Sequence, residues 1–169
     1  TSVGLILNAQ WHNQKSLIGL RQYNGDQKTF YANLLFQTKS EDDIHSVTVG
    51  GSFALDKYDE SFDGINFSRN ESRPGLFAEY TFSPINTLTI VPGARVDFHN
   101  LYGTFFTPRL HVKYNIDENT TLRASAGKGY RSVNLFAENL NYLASSRYFV
   151  IIDNPSYEEA WNYGLNLTR

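Results

Sequence analysis

The stretch Asn119-Thr120-Thr121-Leu122-Arg123-Ala124-Ser125-Ala126-Gly127-Lys128-Gly129-Tyr130-Arg131 decides the fold. From Thr121 to Tyr130 it alternates with a period of two. Leu122, Ala124, Ala126 and Tyr130 point one way, whereas Thr121, Arg123, Ser125, Gly127, Gly129 and Arg131 point the other. Alternation of this kind marks a β-strand with unlike faces. A soluble half-buried strand alternates too, so the recurrence of the pattern along the chain carries the argument. Its polar face repeatedly holds arginine, lysine and histidine. An apolar outside around a polar inside is the inversion expected of a transmembrane β-barrel.

Seven further segments share the rhythm. Val3, Leu5, Leu7, Ala9 and Trp11 form one face of the first, and Phe30, Ala32, Leu34 and Phe36 one face of the second. The third sets Val47, Val49, Gly51, Phe53 and Leu55 against Thr48, Gly50, Ser52 and Asp56. Leu76, Ala78, Tyr80 and Phe82 follow, then Leu88, Ile90, Ala94, Val96 and Phe98 against Thr89, Gly93, Arg95 and Asp97. Leu110, Val112 and Tyr114 oppose Arg109, His111 and Lys113, and at the end Trp161, Tyr163, Leu165 and Leu167 oppose Asn162, Gly164 and Asn166. Parity therefore predicts lipid contact for Leu110, Val112, Leu122, Ala124, Trp161 and Leu165, and a lumenal position for Arg109, His111, Arg123 and Asn162. Pro92 sits inside the fifth segment. Proline has no N–H to give a ladder, so a bulge is expected at Pro92-Gly93.

The connections read as alternately long and short. Asn13–Gln27, Tyr58–Arg73, His99–Thr107 and Ser132–Pro155 are long, with Asn24-Gly25 a turn signal in the first; the intervening turns are short. Short turns at one end and long loops at the other are the asymmetry of outer-membrane barrels. Lys128 falls on the lipid side by strict alternation, which would let it snorkel to lipopolysaccharide phosphates; a bulge near Gly127 or Gly129 would instead turn it into the lumen.

Composition permits this reading and excludes others. The 169 residues suffice for about eight strands, and the net charge of −2 gives no electrostatic case for nucleic acid. Mean hydropathy is −0.40, and no apolar run approaches the roughly 20 residues of a membrane helix. Barrel strands evade that test because they alternate. The 11 Tyr and 12 Phe are enough for aromatic girdles. With no cysteine there is no disulfide, thiolate metal site or thiol nucleophile. The chain begins and stops mid-pattern without a signal segment, and is read as one partial barrel domain over 1–169 whose outermost segments pair with strands beyond it.

Phe106-Thr107-Pro108-Arg109-Leu110, Glu118-Asn119-Thr120-Thr121-Leu122-Arg123-Ala124-Ser125 and Gly127-Lys128-Gly129-Tyr130-Arg131 resemble the barrel of TonB-dependent outer-membrane receptors. Glu158-Glu159-Ala160-Trp161-Asn162-Tyr163-Gly164 is similar to another strand of that family, as are Pro74–Tyr80 and Pro92–Asp97. The wording is most similar to receptors of the Bacteroidetes. It covers residues 74–168 well and the first 70 in rhythm only. Ser132-Val133 departs from the family's usual Ala-Pro. The resemblance implies all-β antiparallel architecture, about eight strands of a 22-stranded barrel, with a plug domain supplied from elsewhere. It further implies active transport energised by TonB in a Gram-negative outer membrane, and no enzyme and no cofactor. The solute class would be an iron chelate, cobalamin or a glycan.

Candidate ligand contacts are Arg95, Asp97 and His99, rising along one polar face, and Arg131, Asn134 and Tyr142, at the entry to and within the longest connection. The four histidines have no metal-ligand spacing. Glu158 and Glu159 are adjacent, so alternation separates them and they make no catalytic pair. Arg95, Arg109, His111, Lys113 and Arg123 line the predicted interior, as a steering surface for an anion, as partners of plug carboxylates, or as a hydrated wall. Two rival readings share the rhythm: a self-contained eight-stranded membrane-anchoring barrel and a soluble carbohydrate-binding sandwich.

Overall fold

β-Branched, aromatic and leucine residues at every second position can bury only one face of a pleated strand, and here they build one continuous sheet. The computed structural model describes residues 1–134, 138–139 and 156–169. Its strands are β1 (Ser2–Ile18), β2 (Arg21–Lys39), β3 (His45–Phe62), β4 (Ile65–Ile85), β5 (Leu88–His99), β6 (Gly103–Asn115), β7 (Thr121–Ser132) and β8 (Tyr157–Thr168). All neighbours are antiparallel, in the chain order β1 to β8.

Register confirms the two faces. Leu5, Leu34, Gly51, Leu76, Val96 and Phe106 lie side by side across six strands. On the opposite face the row Thr48, Glu79, Gly93, Arg109, Gly127 and Asn162 crosses β3 to β8. Leu110, Val112, Leu122, Ala124, Trp161 and Leu165 all fall on the apolar face, and Arg109, His111, Arg123 and Asn162 on the polar one.

Burial is inverted relative to a soluble fold. Leu5, Leu76 and Leu165 are 65%, 64% and 78% exposed. Among the described residues the buried side chains are mostly polar, including Asp56, Glu60, Arg69, Glu71, Asp97 and His99. A contiguous apolar surface of this extent needs lipid or protein to cover it. The second sheet that a sandwich would need is not among the described elements. Nor do β1 and β8 pair with each other; they are the two edges of an open sheet, and every residue of β8 is exposed. A closed eight-stranded barrel would have joined them.

The structure changes the reading of the connections. Asn13–Gln27, Tyr58–Arg73 and His99–Thr107 are not long loops. Their turns are only Gly19-Leu20, Asp63-Gly64 and Asn100–Tyr102, and the flanking residues extend the strands. Asp63 and Gly64 have φ of 49° and 82°, the left-handed pair of a tight two-residue hairpin turn. Asn24 and Gly25, read as a turn signal, lie within β2 opposite Lys15 and Gln14. β1 to β4 therefore run 17 to 21 residues, longer than a bilayer requires.

Outer-face chemistry shows where the apolar band ends. The apolar row gives way at Trp11, Lys28, Lys57 and Asn70, and the next outer row is Asn13, Asp26, Asp59 and Ser68. Beyond that line the two hairpins β1–β2 and β3–β4 project by roughly 20 Å, at about 3.3 Å per residue. At the opposite end, His45, Tyr80 and Phe82 stack on the outer face, with ring centroids of His45 and Phe82 5.4 Å apart, as an aromatic girdle would.

Pro92 does not make the expected bulge. Glu79–Gly93 and Phe82–Ile90 keep one register across it, and the shift lies between Phe82 and Ile85, beside Pro84. Proline needs only a missing ladder bond on its β4 side, which the gap between those pairs provides.

Candidate functional site: the polar wall

The polar face carries a ladder of charge pairs, because alternation aims each of these side chains into the same space. Arg73 meets Asp56, and Arg109 meets Glu79. Arg95 holds Asp97 through Nε and Nη2, with Nε donating to Oδ2 at 2.7 Å, and Nη2 also donates to Ser52 Oγ at 2.6 Å. Thr29 donates its hydroxyl to Asp56 at 2.7 Å. Gly75 makes room for the Arg95–Asp97 pair: a Cβ there would lie 2.0 Å from Asp97 Oδ1.

β7 departs from strict alternation. Gly127 sits opposite Arg109, yet Tyr130, three residues on, stacks on Phe105 at 3.8 Å between centroids. Phe105 and Arg109 share the inner face of β6, so an odd step in β7 must switch parity between Gly127 and Tyr130. The β6–β7 pairing ends at Arg109–Gly127, which frees the strand to turn there. Lys128 consequently lines inner hollows with Arg95 and Thr107, and its ammonium meets Glu159 at 2.8 Å. The outward, lipid-anchoring position expected for Lys128 is not the one it takes. Two side-chain-free glycines flanking it remove the steric cost of the switch.

Above the apolar band the wall becomes a buried polar cluster. Arg69 Nε lies 2.7 Å from Glu71 Oε1, both side chains are almost fully buried, and the Arg69 guanidinium covers the Tyr58 ring at 4.7 Å. Tyr23 donates its hydroxyl to Glu60 at 2.7 Å. Burial pushes the Glu60 carboxyl above the usual carboxylate range, outweighing the Tyr23 hydrogen bond and the nearby Arg69 that pull it down. Burial likewise raises the Tyr102 hydroxyl in the β5–β6 turn.

Ser132, His99 and Glu71 also meet in this cluster, and their geometry excludes one chemistry. The Leu101 N–H donates to His99 Nδ1 at 3.1 Å, so Nε2 carries the ring proton and faces Glu71 Oε2 at 3.4 Å. Ser132 donates to that same carboxylate oxygen at 2.9 Å. A hydrolytic triad needs a bare Nε2 facing serine and a carboxylate on Nδ1. This arrangement instead ties the start of the long β7–β8 connection to the wall, together with Arg69 Nη1 donating to the Val133 carbonyl at 2.6 Å.

Of the residues singled out in the sequence, Arg95, Asp97 and His99 do share the inner face. Asp97 and His99, however, are 3% and 4% exposed and spend their polar atoms on Arg95 and Glu71 rather than on a solvated rim. Arg131 is exposed and pairs with Glu158 at 2.8 Å and Glu138 at 3.0 Å. Asn134 donates its backbone N–H to Glu138 Oε1 at 3.1 Å. Tyr142 lies outside the described residues. Sequence reasoning missed Tyr23, Glu60, Arg69, Glu71 and Arg73, because it assigned their segments to loops; with polar residues such as Asn66, Ser68, Asn70 and Ser72 on the outer face as well, alternation gave no signal that the strands continue.

A hollow of about 420 Å3 at the upper inner wall is lined by Tyr31, Arg73, Arg95, Asp97, Lys128 and Tyr130. It combines the aromatic faces of Tyr31 and Tyr130 with three cations, each of which is paired with a carboxylate of the sheet. The family model for TonB dependent receptor-like β-barrels matches residues 3–168. The chain belongs to that family. Relatives of this TonB-dependent barrel include the ferric enterobactin receptor of Pseudomonas aeruginosa, 33% identical over 72 residues, which are 43% of this chain and 10% of the relative. The ferrienterobactin receptor of Escherichia coli K12 is 28% identical over 72 residues, with the same coverage. The chain thus spans about a tenth of the length of these curated relatives. Among solved structures, the FpvAI–pyocin S2 complex superposes with a TM-score of 0.62 at 13% identity, over 98% of this chain and 27% of that one. A mutant of the ferric enterobactin receptor of P. aeruginosa gives 0.59 at 20% identity, over 68% and 19%. These structures share the fold, and none of these relatives speaks for the Bacteroidetes subtype.

Proposed function

We propose that this chain forms part of the wall of an outer-membrane receptor that captures a ferric siderophore and imports it with energy delivered by TonB. The observation that carries the reading is the inverted sheet: a lipid-facing apolar band, a charged interior, and hairpins that rise beyond the band on one side only. The open edges at β1 and β8 leave ladder groups that lipid cannot satisfy, so further strands of the same receptor would close the barrel around a plug. Its place is then the outer membrane of a Gram-negative bacterium. A ferric siderophore is favoured as solute because the relatives in the curated set are named for ferric enterobactin. Transport, not catalysis, suits a face whose Ser132, His99 and Glu71 are bonded to one another in a structural arrangement.

The test is uptake of radio-iron presented as a ferric catecholate chelate, by cells that express the whole receptor in a host lacking its own. Uptake is expected with TonB and not without it. Uptake of labelled cobalamin or a glycan instead would refute the siderophore assignment. Iron uptake that persists without TonB would refute the transport mechanism.

A further inference from the structure

We propose that the upper part of the β7–β8 hairpin, Lys128–Ser132 with Tyr157–Trp161, is a hinged strap that lies tucked against the inner wall in this structure and swings outward to complete the ladder with β6. The ladder between β6 and β7 ends at Arg109–Gly127. The ladders on either side run on, β5–β6 to His99–Gly103 and β7–β8 to Ser132–Tyr157. Pro108, which has no N–H to donate, is the first residue of β6 past the break. Above it the wall is split.

The displacement is large. In a flat sheet three strand spacings, about 14 Å at about 4.8 Å each, separate β7 from β4. Ser132 of β7 nevertheless donates to Glu71 of β4 at 2.9 Å, a reach that two short side chains and one hydrogen bond do not make across an unbent sheet. β8 follows the bend, because Lys128–Trp161 and Ser132–Tyr157 stay partners. The hairpin thus leans in as one body, with Tyr130 stacked on Phe105 and Tyr157 set edge-on to the same ring at 4.7 Å. Arg69 donating to the Val133 carbonyl completes the clasp.

Both ends of the motion are prepared. Gly127 and Gly129 flank the bend, and a Cβ at Gly129 would meet nothing within 4 Å, so backbone freedom rather than packing is what glycine supplies there. Continuing the register of β6 and β7 would set Thr107 opposite Gly129 and Thr104 opposite Ser132, filling the split with ladder bonds. The upright strap turns Lys128 and Glu159 outward. Joined at 2.8 Å they travel as a pair, at a desolvation cost that makes the tucked position the resting one. The consequence is access: the tucked strap supplies Lys128, Gly129 and Tyr130 to the hollow of about 420 Å3, and standing up bares Tyr31, Arg73 and Arg95 to the lumen. This rests on the proposal that the sheet is part of a closed receptor barrel.

The test uses the whole receptor in the outer membrane of intact cells, oxidised with copper phenanthroline. Thr104→Cys with Ser132→Cys reports the upright strap. Val112→Cys with Ala124→Cys, fixed partners on the same two strands and the same face, is the control. The reporter disulfide is expected to form at least tenfold more slowly than the control, and several-fold faster once the clasp is cut by Glu71→Ala, or by Arg69→Met should the first variant not reach the membrane. No reporter disulfide would show a permanently tucked hairpin and overturn the proposal. Oxidation as fast as the control would show a permanently upright one and overturn it equally, as would a rate that neither clasp variant changes. None of these outcomes depends on the solute or on TonB, so failure of radio-iron uptake bears on the transport reading alone.

Discussion

Val49 and Thr48 are neighbours on β3 with opposite surroundings, and arginine placed at each tests the membrane orientation. On the outer face of β3 the apolar band runs from the aromatic girdle at His45 to Lys57. Those twelve steps, at roughly 3.3 Å each and a tilt near 45°, span about 28 Å, close to a hydrocarbon core. Val49 lies about 9 Å above the girdle, hence roughly 5 Å from the midplane. Arginine at that depth on the lipid face should cost about 2–3 kcal/mol, between the midplane maximum and the interface value. Thr48 lies on the inner row opposite Glu79, so an added guanidinium there has water and a carboxylate within reach. Its cost should stay within about 1 kcal/mol. The assay is reversible urea unfolding of the whole receptor in lipid vesicles, comparing Val49→Arg and Thr48→Arg with the parent. Equal losses for the two variants, or the larger loss at Thr48, would refute both the parity and the placement of the bilayer.

Two further outcomes are expected. Gly75→Ala puts a methyl 2.0 Å from Asp97 Oδ1 and 2.6 Å from Arg95 Nη2, so the pair must separate; overpacking of this kind should lower stability by about 1–3 kcal/mol in the same unfolding assay, and an unchanged midpoint would show that the pair is not confined as described. Glu60 titrates above the ordinary carboxylate range, so its contribution to stability is fully present below about pH 4.3 and is lost as pH rises through its raised value. Hydrogen exchange, corrected for intrinsic rates, should therefore show the β1–β2 and β3–β4 hairpins better protected at acid pH than near neutrality, and Glu60→Gln should remove that dependence; greater protection at neutral pH would refute the sign.

Apart from Lys128 and Tyr130, which the sequence pattern put outside and the sheet holds inside, the side chains of the apolar outer face were legible from the sequence alone. The pleat has a period of two, so Leu110 and Arg109 cannot share a face, and a run of such pairs specifies an apolar outside without any knowledge of neighbours. The same local rule made Arg95, Asp97 and His99 companions on one wall. Where the strands end was not legible. Beyond Trp11 and Lys28 the outer face turns polar, which resembles a loop in one dimension; only pairing between β1 and β2, and between β3 and β4, shows that backbone hydrogen bonds continue there. The position of Lys128 was likewise out of reach, because it depends on whether β6 still pairs with β7 past Gly127 and on the space beside Phe105. The buried Arg69–Glu71–His99–Ser132 cluster joins residues from β4, β5 and β7 that are far apart in the chain. Alternation is a property of each strand by itself and is written in the sequence; strand length, parity switches and charge pairing are agreements between strands, and only the folded sheet settles them.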